Sequence, residues 1–556
     1  MYANKSSILQ LAALLRAHGV DEVVVCPGSR NAPLVQTFAA AGFVCHGVTD
    51  ERSAGFYALG LSLACGRPVV VCCTSGSALV NLHPAVAEAY YQCVPLLVVS
   101  ADRPAAWIGQ LDGQTLPQPG VFGRLVRMSV NLPEVRDAQD AWHCNRLINE
   151  AVLASVHHGH GPVHINVPVG EPLFDFTATG LPTERVITRY AGWEGRNEGW
   201  RRLEERLSSA ERPMVIVGQL PPGGRFAALP REGGWARAVW LAEHLSAGRL
   251  PLACVTNADV LLYAMDEETR GRLAPDLLVT FGGHVVSKRL KQFIRNHPPR
   301  EHWHLAADGG VADTYCCLTS VVECDPWEAV ARVGASGGGG ETTYRSEWSR
   351  RSMVVAPPRF GYSAMGAVGG LIGRLPGRCT LHLANSSAVR YAQLYALGAG
   401  VRVSCNRGVN GIEGSLSSAL GYAAADPSEL NFVVIGDLSF FYDMNSLGIA
   451  GGKSNVRILL LNNGGGEIFS SLNGLDGAKE GFPFVTGRHA LSARGWAEAA
   501  GFSYAAVHDQ ASLDAALDAL VSPSAGAGAA LVEVFTDTAR DVAMLKEYYR
   551  SLKNKQ

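Results

Sequence analysis

The sequence lacks the features that would place it in several large protein classes. No apolar stretch approaches the roughly 18 residues of a membrane-crossing helix. The start, Met1 to Gln10, lacks the basic-then-apolar profile of a signal peptide. A cytoplasmic protein without a membrane partner is therefore expected. No charge sign dominates: 48 Lys and Arg face 50 Asp and Glu, a net charge of −2. A nucleic-acid surface rests on clustered basic residues and is not expected here. Any anionic ligand must be met by individually placed Arg and Lys. The 13 cysteines are odd in number, contain no Cys-x-x-Cys pair and sit in apolar runs, which suits reduced thiols better than a disulfide framework. Adjacent Cys316-Cys317 with Cys324 has the spacing of no metal site. No Gly-x-Gly-x-x-Gly fingerprint follows the first strand of any unit, and no Gly-x-x-x-x-Gly-Lys-Ser/Thr loop exists, so dinucleotide and P-loop readings lose their support. His157, His158, His160 and His164 form a cluster that no carboxylate or Cys joins at ligand spacing. A polar turn before a strand at 163–167 explains it.

What is present is a long, mildly apolar chain of 556 residues, 47% hydrophobic and 18% charged. At roughly 100–200 residues per compact unit it has room for several cores. Ser6-Ser7 can cap a first helix whose Ile8, Leu11, Leu14 and Leu15 share one face, stopping at Gly19. Short apolar runs follow at 23–26, 43–48, 69–73 and 96–100, with helical segments between them. Strands of continuous rather than alternating apolarity, separated by helices, indicate a parallel sheet covered on both faces. A second α/β unit begins near Pro213 with runs at 214–217 and 276–281, and a third has runs at 379–383, 401–405, 432–435 and 458–461. Residues 176–210 read as a polar, irregular linker, and the glycine-rich 334–340 as a second.

Ligands of such sheets collect at the carboxyl ends of the strands. In the first unit these ends carry Pro27-Gly28-Ser29-Arg30, Thr49-Asp50-Glu51-Arg52, Thr74-Ser75-Gly76-Ser77 and Ala101-Asp102-Arg103-Pro104. Those of the third carry Asn385-Ser386, Asn406-Arg407, Gly436-Asp437 and Asn462-Asn463. Asp437 and Asn463 stand 26 positions apart, the length of one strand-helix-strand unit. Neighbouring parallel strands would bring their ends together. An Asp carboxylate, an Asn side-chain carbonyl and a backbone carbonyl in the glycine turn make an all-oxygen set suited to Mg²⁺, which commonly completes its octahedron with phosphate oxygens. The spacing points to a metal–diphosphate site.

On these residues the chain resembles the thiamin diphosphate-dependent decarboxylases, whose signature is Gly-Asp-Gly, about two dozen residues, then Asn-Asn. Leu438 stands where most of that superfamily has Gly. The resemblance implies that Asp437, Asn463 and the backbone carbonyl of Gly465 hold Mg²⁺ or Mn²⁺. It also implies that Glu51 is the glutamate contributed by a separate N-terminal domain. A carboxyl hydrogen-bonded to N1′ of the aminopyrimidine favours the imino tautomer, whose 4′-nitrogen removes the thiazolium C2 proton. Glu51 also opens a helix, where an acid suits the dipole; the two roles are compatible.

Further segments are similar to the 2-succinyl-5-enolpyruvyl-6-hydroxy-3-cyclohexene-1-carboxylate synthase family of menaquinone biosynthesis, in which Gly-Asp-Leu-Ser is itself characteristic. They include Gln114 with Gln118-Pro119-Gly120, Ser287-Lys288-Arg289, Asn385-Ser386 with Arg390, Cys405-Asn406-Arg407-Gly408 with Gly411-Ile412, and Gly465-Gly466-Glu467-Ile468-Phe469. The similarity runs from about residue 6 to the end, weakest across 176–260 and 310–375. Gly113 and Glu467 depart from the family's usual Asn and Gln.

This resemblance implies three doubly wound parallel-sheet α/β domains: a pyrimidine-binding domain at 1–180, a central domain at 190–335 and a diphosphate- and metal-binding domain at 355–556. It implies cofactor contacts from Ser29, Thr74, Asn385, Ser386, Gly411, Ile412, Gly436, Asp437, Leu438, Ser439, Asn463, Ile468 and Phe469. Ile412 would support the cofactor from beneath, and Ile468 and Phe469 would form an apolar wall. The family's substrates, 2-oxoglutarate and isochorismate, bring four carboxylates in all, which call for several fixed cations, preferably Arg. Arg30, Arg103, Lys288, Arg289, Arg390 and Arg407, with Gln114, are the candidates. A homodimer or homotetramer with active sites at subunit interfaces is implied as well. Another thiamin diphosphate carboligase, such as an acetolactate synthase or an acyl-CoA lyase, and a non-catalytic paralogue remain as alternatives at this point.

Overall fold

A computed structural model of the chain describes residues 1–189, 198–222, 234–250, 254–326, 342–449, 454–470, 480–522 and 528–553. The predicted linker at 334–340 lies outside these residues, as does the side chain of Glu467.

Three sheets account for the strands. The first contains β1 (Glu22–Val25), β2 (Val44–Gly47), β3 (Val69–Cys73), β4 (Leu96–Asp102), β5 (Met128–Asn131) and β6 (Val163–Pro168) in the order β2-β1-β3-β4-β6-β5. The second contains β7 (Pro213–Val217), β8 (Val239–Ala242), β9 (Leu277–Phe281), β10 (Glu301–Ala306) and β11 (Ser320–Glu323) in the order β11-β10-β9-β7-β8. The third contains β12 (Cys379–Leu383), β13 (Val401–Ser404), β14 (Asn431–Gly436), β15 (Val456–Asn462), β16 (Ser503–Val507) and β17 (Ala530–Phe535) in the order β13-β12-β14-β15-β17-β16. The strand pairings among the described residues are parallel, with Val23 opposite Val70, Val215 opposite Val279 and Leu381 opposite Phe432. The α/β architecture expected from the apolar runs is the one observed. Every residue of β3, β4 and β15 is buried, as strands covered by helices on both faces must be.

Followed along the chain, the order turns back between β1 and β3 in the first sheet, between β7 and β9 in the second and between β12 and β14 in the third; the first and third sheets turn back again at their far edges, where β6 lies inside β5 and β17 inside β16. At such a reversal the loops leave in opposite directions and open a crevice at the strand ends. The turns 27–30 and 74–77 flank the reversal between β1 and β3; 384–386 and 436–438 flank that between β12 and β14. Topology therefore explains why chemistry-bearing residues gather in those turns.

Two compact units are present. The first comprises Met1–Ala191, Asn406–Ser428 and Ser439–Val456; the second comprises Gly192–Cys405, Glu429–Leu438 and Arg457–Gln556. In the first unit the helix Glu51–Cys65 packs backbone to backbone on the helix Ser415–Ala425. A Cβ on Gly60 would lie 1.9 Å from the Ser418 carbonyl oxygen, and one on Gly421 would lie 2.0 Å from that of Tyr57.

Local expectations fared unevenly. The first helix, Ser6–Ala17, is capped by Lys5 rather than by Ser6-Ser7, and Lys5 offers no side-chain cap. Part of the predicted linker at 176–210 is a helix, Glu198–Ser209. Its buried Trp200, Leu203 and Leu207 recur at helical spacing within an otherwise charged segment, which masked the period. The 13 cysteines are free thiols. His164 departs from its cluster and is buried in β6. Among the described residues no three His, Cys, Asp or Glu side chains form a metal-binding group, and no helix is long and apolar enough to cross a membrane.

Candidate active site

In the first unit the turns after β1 and β3 close on one another. A Cβ on Gly28 would sit 2.4 Å from Thr74 Cβ, so the approach requires glycine. Thr74 is buried, and its hydroxyl has no hydrogen-bond partner among the described residues. Ser29 is exposed at the same rim. Beneath the rim runs a buried polar network. Gln118 accepts the Gly76 amide at 2.8 Å and donates to the Ala101 carbonyl at 3.0 Å and to Asn166 Oδ1 at 2.8 Å. Asn166 donates to Asp102 at 2.8 Å, and Asp102 also accepts the Arg103 amide at 2.8 Å. Desolvation nevertheless holds the Asp102 carboxyl above its ordinary pKa.

The two arginines of this rim are already engaged. Arg30, its side chain only 7% exposed, donates to the Val169 carbonyl at 2.9 Å and pairs with Glu171 at 3.2 Å. Burial, and after it the charge of Arg103, lowers its pKa. Arg103 binds the Gly113 carbonyl at 3.0 Å and Asp112 at 3.1 Å, which fixes the loop that carries Gln114. Gln114 itself is exposed, with φ +56°.

Glu51 opens the helix Glu51–Cys65, and its neighbours on both sides are tied down. Asp50 caps the helix by accepting the Arg52 amide at 2.9 Å and the Ser53 amide at 3.3 Å, and Asn445 holds its other oxygen at 2.8 Å. Arg52 donates to the Tyr442 carbonyl at 2.6 Å and stacks 4.4 Å from that ring. Between them Glu51 is half-buried, and its carboxylate has no hydrogen-bond or ion-pair partner among the described residues. A half-buried carboxylate held between fixed neighbours, with no partner among the described residues, is available to a ligand.

The loop that carries Arg407, Gly411 and Ile412 belongs to the same unit. Buried Glu88 pins it by accepting the Gly408 amide at 2.6 Å and the Val409 amide at 2.8 Å. Arg407 is buried beside this anchor. Ser439 donates to the Ile412 carbonyl, while the Ile412 side chain stays 38% exposed. An isoleucine held out from a fixed loop offers apolar surface for a ligand.

In the second unit the turns after β14 and β15 meet at Asp437. One carboxylate oxygen accepts the Leu438 amide at 2.6 Å; the other accepts the Asn463 amide at 3.1 Å and the Gly465 amide at 2.9 Å. The spacing of 26 residues thus brings Asp437 and Asn463 together. Gly465 has φ +152°, and a Cβ on it would lie 2.9 Å from the Thr486 carbonyl oxygen. His489 stands 3.3 Å from Asp437 Oδ2, a partner with no signal in the sequence. Burial raises the Asp437 pKa against the opposing pull of His489 and the three amides. A Cβ on Gly436 would meet nothing within 4 Å among the described residues, whose packing therefore gives no reason for glycine there; a close-approaching ligand would. Carboxylate, amide and backbone oxygens around an open glycine turn fit a hard cation bearing phosphates.

Nearby, Ser386 takes φ +69° at the start of the helix Ser387–Ala392, and Asn385 is buried beside Cys405 at 3.7 Å. A cavity of about 590 Å³ is lined by Lys288, Arg289, Arg390 and Ile468, among others. Three of the six predicted cations therefore share one wall system in this unit. Arg289 is not a bare charge. It pairs with Asp259 and stacks against the edge-to-face ring pair of Tyr263 (4.8 Å) and Tyr549 (4.5 Å). Phe469 packs on Gly466, whose added Cβ would lie 2.7 Å from the ring. Sequence reasoning missed Asp259, Tyr263, Tyr549, Glu88, Asp443 and His489. Of these only Glu88 carried a signal, as a carboxylate on a helix face shared with buried Ala85 and Ala89.

Comparison with known proteins gives the family. Three family models match in chain order: "Thiamine pyrophosphate enzyme, N-terminal TPP binding domain" over residues 9–121, "Middle domain of thiamine pyrophosphate" over 200–334, and "Thiamine pyrophosphate enzyme, C-terminal TPP binding domain" over 386–534. Fold and site thus define a thiamin diphosphate-dependent enzyme. A 2-succinyl-5-enolpyruvyl-6-hydroxy-3-cyclohexene-1-carboxylate synthase of Phocaeicola vulgatus is 54% identical over 556 residues, covering 100% of both chains. Synthases of the same name from Bacteroides thetaiotaomicron (53%, 100% of both chains) and Desulfotalea psychrophila (37% over 512 residues, 90% of this chain and 93% of the relative) are also similar. The chain belongs to the 2-succinyl-5-enolpyruvyl-6-hydroxy-3-cyclohexene-1-carboxylate synthase family.

Proposed function

We propose that the chain decarboxylates 2-oxoglutarate and adds the remaining four-carbon succinyl-semialdehyde unit in conjugate fashion to isochorismate. The products are 2-succinyl-5-enolpyruvyl-6-hydroxy-3-cyclohexene-1-carboxylate and CO₂, in menaquinone biosynthesis. The observation that carries this reading is 54% identity along the full length of a synthase of that name. Other thiamin diphosphate carboligases and a non-catalytic paralogue lose ground to it.

Bound thiamin diphosphate supplies the electron sink for decarboxylation, and Mg²⁺ or Mn²⁺ anchors its diphosphate. Asp437, Asn463 and the Gly465 carbonyl hold the metal, and the turn at Gly436, Leu438 and Ser439 follows the diphosphate. Asn385, Ser386, Ser29, Thr74 and Gly411 complete the polar contacts. Ile412, Ile468 and Phe469 supply apolar surface that excludes water from the reacting atoms. Glu51 holds a proton at the aminopyrimidine N1′. Lys288, Arg289, Arg390 and Arg407 meet substrate carboxylates, with Arg30, Arg103 and Gln114 on the isochorismate side. Since Arg30 and Arg103 already bind backbone carbonyls and acids, they serve at least partly by shaping that rim. The division into domains at 1–180, 190–335 and 355–556, a homodimer or homotetramer with shared active sites, and a cytoplasmic location belong to the same proposal.

The test is to supply the purified chain with thiamin diphosphate, Mg²⁺ and 2-oxoglutarate, then follow CO₂ release and isochorismate absorbance. Loss of both substrates together is expected. CO₂ release with isochorismate untouched would mean a different acceptor, and cofactor binding without turnover would mean a non-catalytic protein.

A further inference from the structure

The C-terminal helix Thr538–Lys553 was not singled out by any motif, yet it forms one side of the 590 Å³ cavity. Val542, Leu545, Lys546, Tyr549 and Arg550 line it. Spacings of three and four residues put these five on one helical face. Tyr549 docks that face: its ring lies 4.5 Å from the Arg289 guanidinium and 4.8 Å from the Tyr263 ring, and its hydroxyl donates to Asp259 at 3.4 Å.

The charges around the cavity do not cancel. The two acids among its described lining residues are both committed to the protein. Asp259 is taken by Arg289, by Tyr549 and by the Ser287 hydroxyl at 2.5 Å. Glu243 accepts the Val286 amide at 2.6 Å and the Ser287 amide at 2.7 Å. Against them stand Lys288, Arg289, Arg390, Lys546 and Arg550. Lys288, Lys546 and Arg550 make no hydrogen bond or ion pair with any described residue. A concave site with surplus cations and, among the described residues, no unspent acid is suited to a polyanion.

We propose that Lys546 and Arg550 are substrate-binding residues that, in the cavity they share with Lys288, receive a carboxylate of a dicarboxylate substrate. This rests on the functional reading above and deepens it, because it assigns the C-terminal helix to substrate recognition. The complement of Arg550 to the helix dipole is compatible with this role but leaves Lys546, a turn earlier, unexplained.

The experiment compares Lys546→Ala, Arg550→Ala, the double variant, the charge-retaining Lys546→Arg and Arg550→Lys, and Lys288→Ala. KM for each substrate, kcat, thiamin diphosphate affinity and Tm are measured for all of them. The double variant is expected to raise KM for 2-oxoglutarate, for isochorismate or for both by about tenfold or more, since a charge-assisted contact is lost. Its kcat should stay within about twofold, with cofactor affinity and Tm unchanged, because uniform binding is what is removed. The charge-retaining variants should keep most of the affinity, and the substrate whose KM rises is the one this helix receives. If both KM values stay at wild type while Lys288→Ala raises them, the inference fails and the cavity keeps its role. Should Lys288→Ala also leave them unchanged, the cavity assignment in the functional reading fails too. A fall in kcat together with a lowered Tm would show a structural helix and overturn the proposal.

Discussion

Asp443 receives the backbone amide of Ser417 at 2.7 Å and its hydroxyl at 2.6 Å. The Ser53 hydroxyl, from the facing helix Glu51–Cys65, reaches the same carboxylate at 3.4 Å. One buried acid thus joins the helix that begins with Glu51 to the helix that follows Ile412. With Asp50–Asn445 and Arg52–Tyr442, it completes a clamp on the three residues around the catalytic candidate.

Burial pushes the Asp443 pKa up to about 6, against the pull of the two serines and Arg52. A carboxyl with a raised folded pKa favours the folded state when protonated. Its contribution is therefore largest below the unfolded value near 4 and is lost as pH rises through about 6. Buried His164, His244 and His382, each lowered to about 4 by desolvation, act in the opposite sense, losing stability as pH falls below 6.5. With His302, which burial lowers likewise, they oppose it on the acid limb, so the Asp443 effect must be read as a difference. Denaturant unfolding of wild type and Asp443→Asn at pH 4.5 and pH 7.5 should show the wild type relatively more stable at the lower pH by about 2 kcal/mol. A difference independent of pH would remove the raised pKa from Asp443.

Glycine supports the same pair of helices along the same faces, Gly60 two turns beyond Ser53 and Gly421 one turn beyond Ser417. The Cβ positions at Gly60 and Gly421 fall within 2.0 Å of opposing carbonyl oxygens. Backbone cannot yield as a side-chain tip would, so Gly60→Ala must push the helices apart. Overpacking of this kind costs about 1–3 kcal/mol and more where relief is blocked. Gly66→Ala, whose Cβ meets no atom but whose φ is +66°, should cost about 1 kcal/mol through backbone strain alone. Thermal unfolding of the two variants should therefore rank Gly60→Ala well below Gly66→Ala; equal Tm values would show that the helix contact is loose.

What the sequence disclosed, and what it did not, follows the distance over which the physics acts. β3, β4 and β15 were legible because a fully buried parallel strand is a continuous apolar run. Asp437 and Asn463 were legible because one strand-helix-strand unit separates them, and the amide of the second does reach the carboxylate of the first. The contact of Glu88 with the Gly408 amide was not, since it crosses 320 positions and the place of Glu88 on a buried helix face does not name its partner. Lys546 and Arg550 were hidden for another reason: Arg550 sits in the last turn of its helix, where the dipole suits a cation, and a single Lys on a charged helix is ordinary surface composition. Arg289 was read as a substrate cation from its motif, but its pairing with Asp259 and two tyrosines needed the fold.

Glu51 allows a sharper separation of stability from chemistry than any other residue of the site. Its carboxylate, half-buried and without a partner among the described residues, contributes no contact whose loss would weaken the fold. Asp50, not Glu51, supplies the helix cap. Glu51→Gln should therefore leave Tm and unfolding free energy within about 0.5 kcal/mol of wild type, as for a substitution that removes no packed or paired group. Turnover is a different matter, because an amide cannot hold a transferable proton at the aminopyrimidine N1′. General acid–base contributions of about 10²- to 10⁴-fold set the scale of the loss in kcat, with thiamin diphosphate affinity changed far less. Glu88→Gln gives the contrasting signature: it weakens the acceptor of the Gly408 and Val409 amides, so it should lower Tm and raise KM through the displaced Arg407 loop. Calorimetry beside steady-state kinetics on both variants decides the matter. Full activity in Glu51→Gln would remove the proton-holding role, whereas loss of activity with loss of fold would make Glu51 a structural residue.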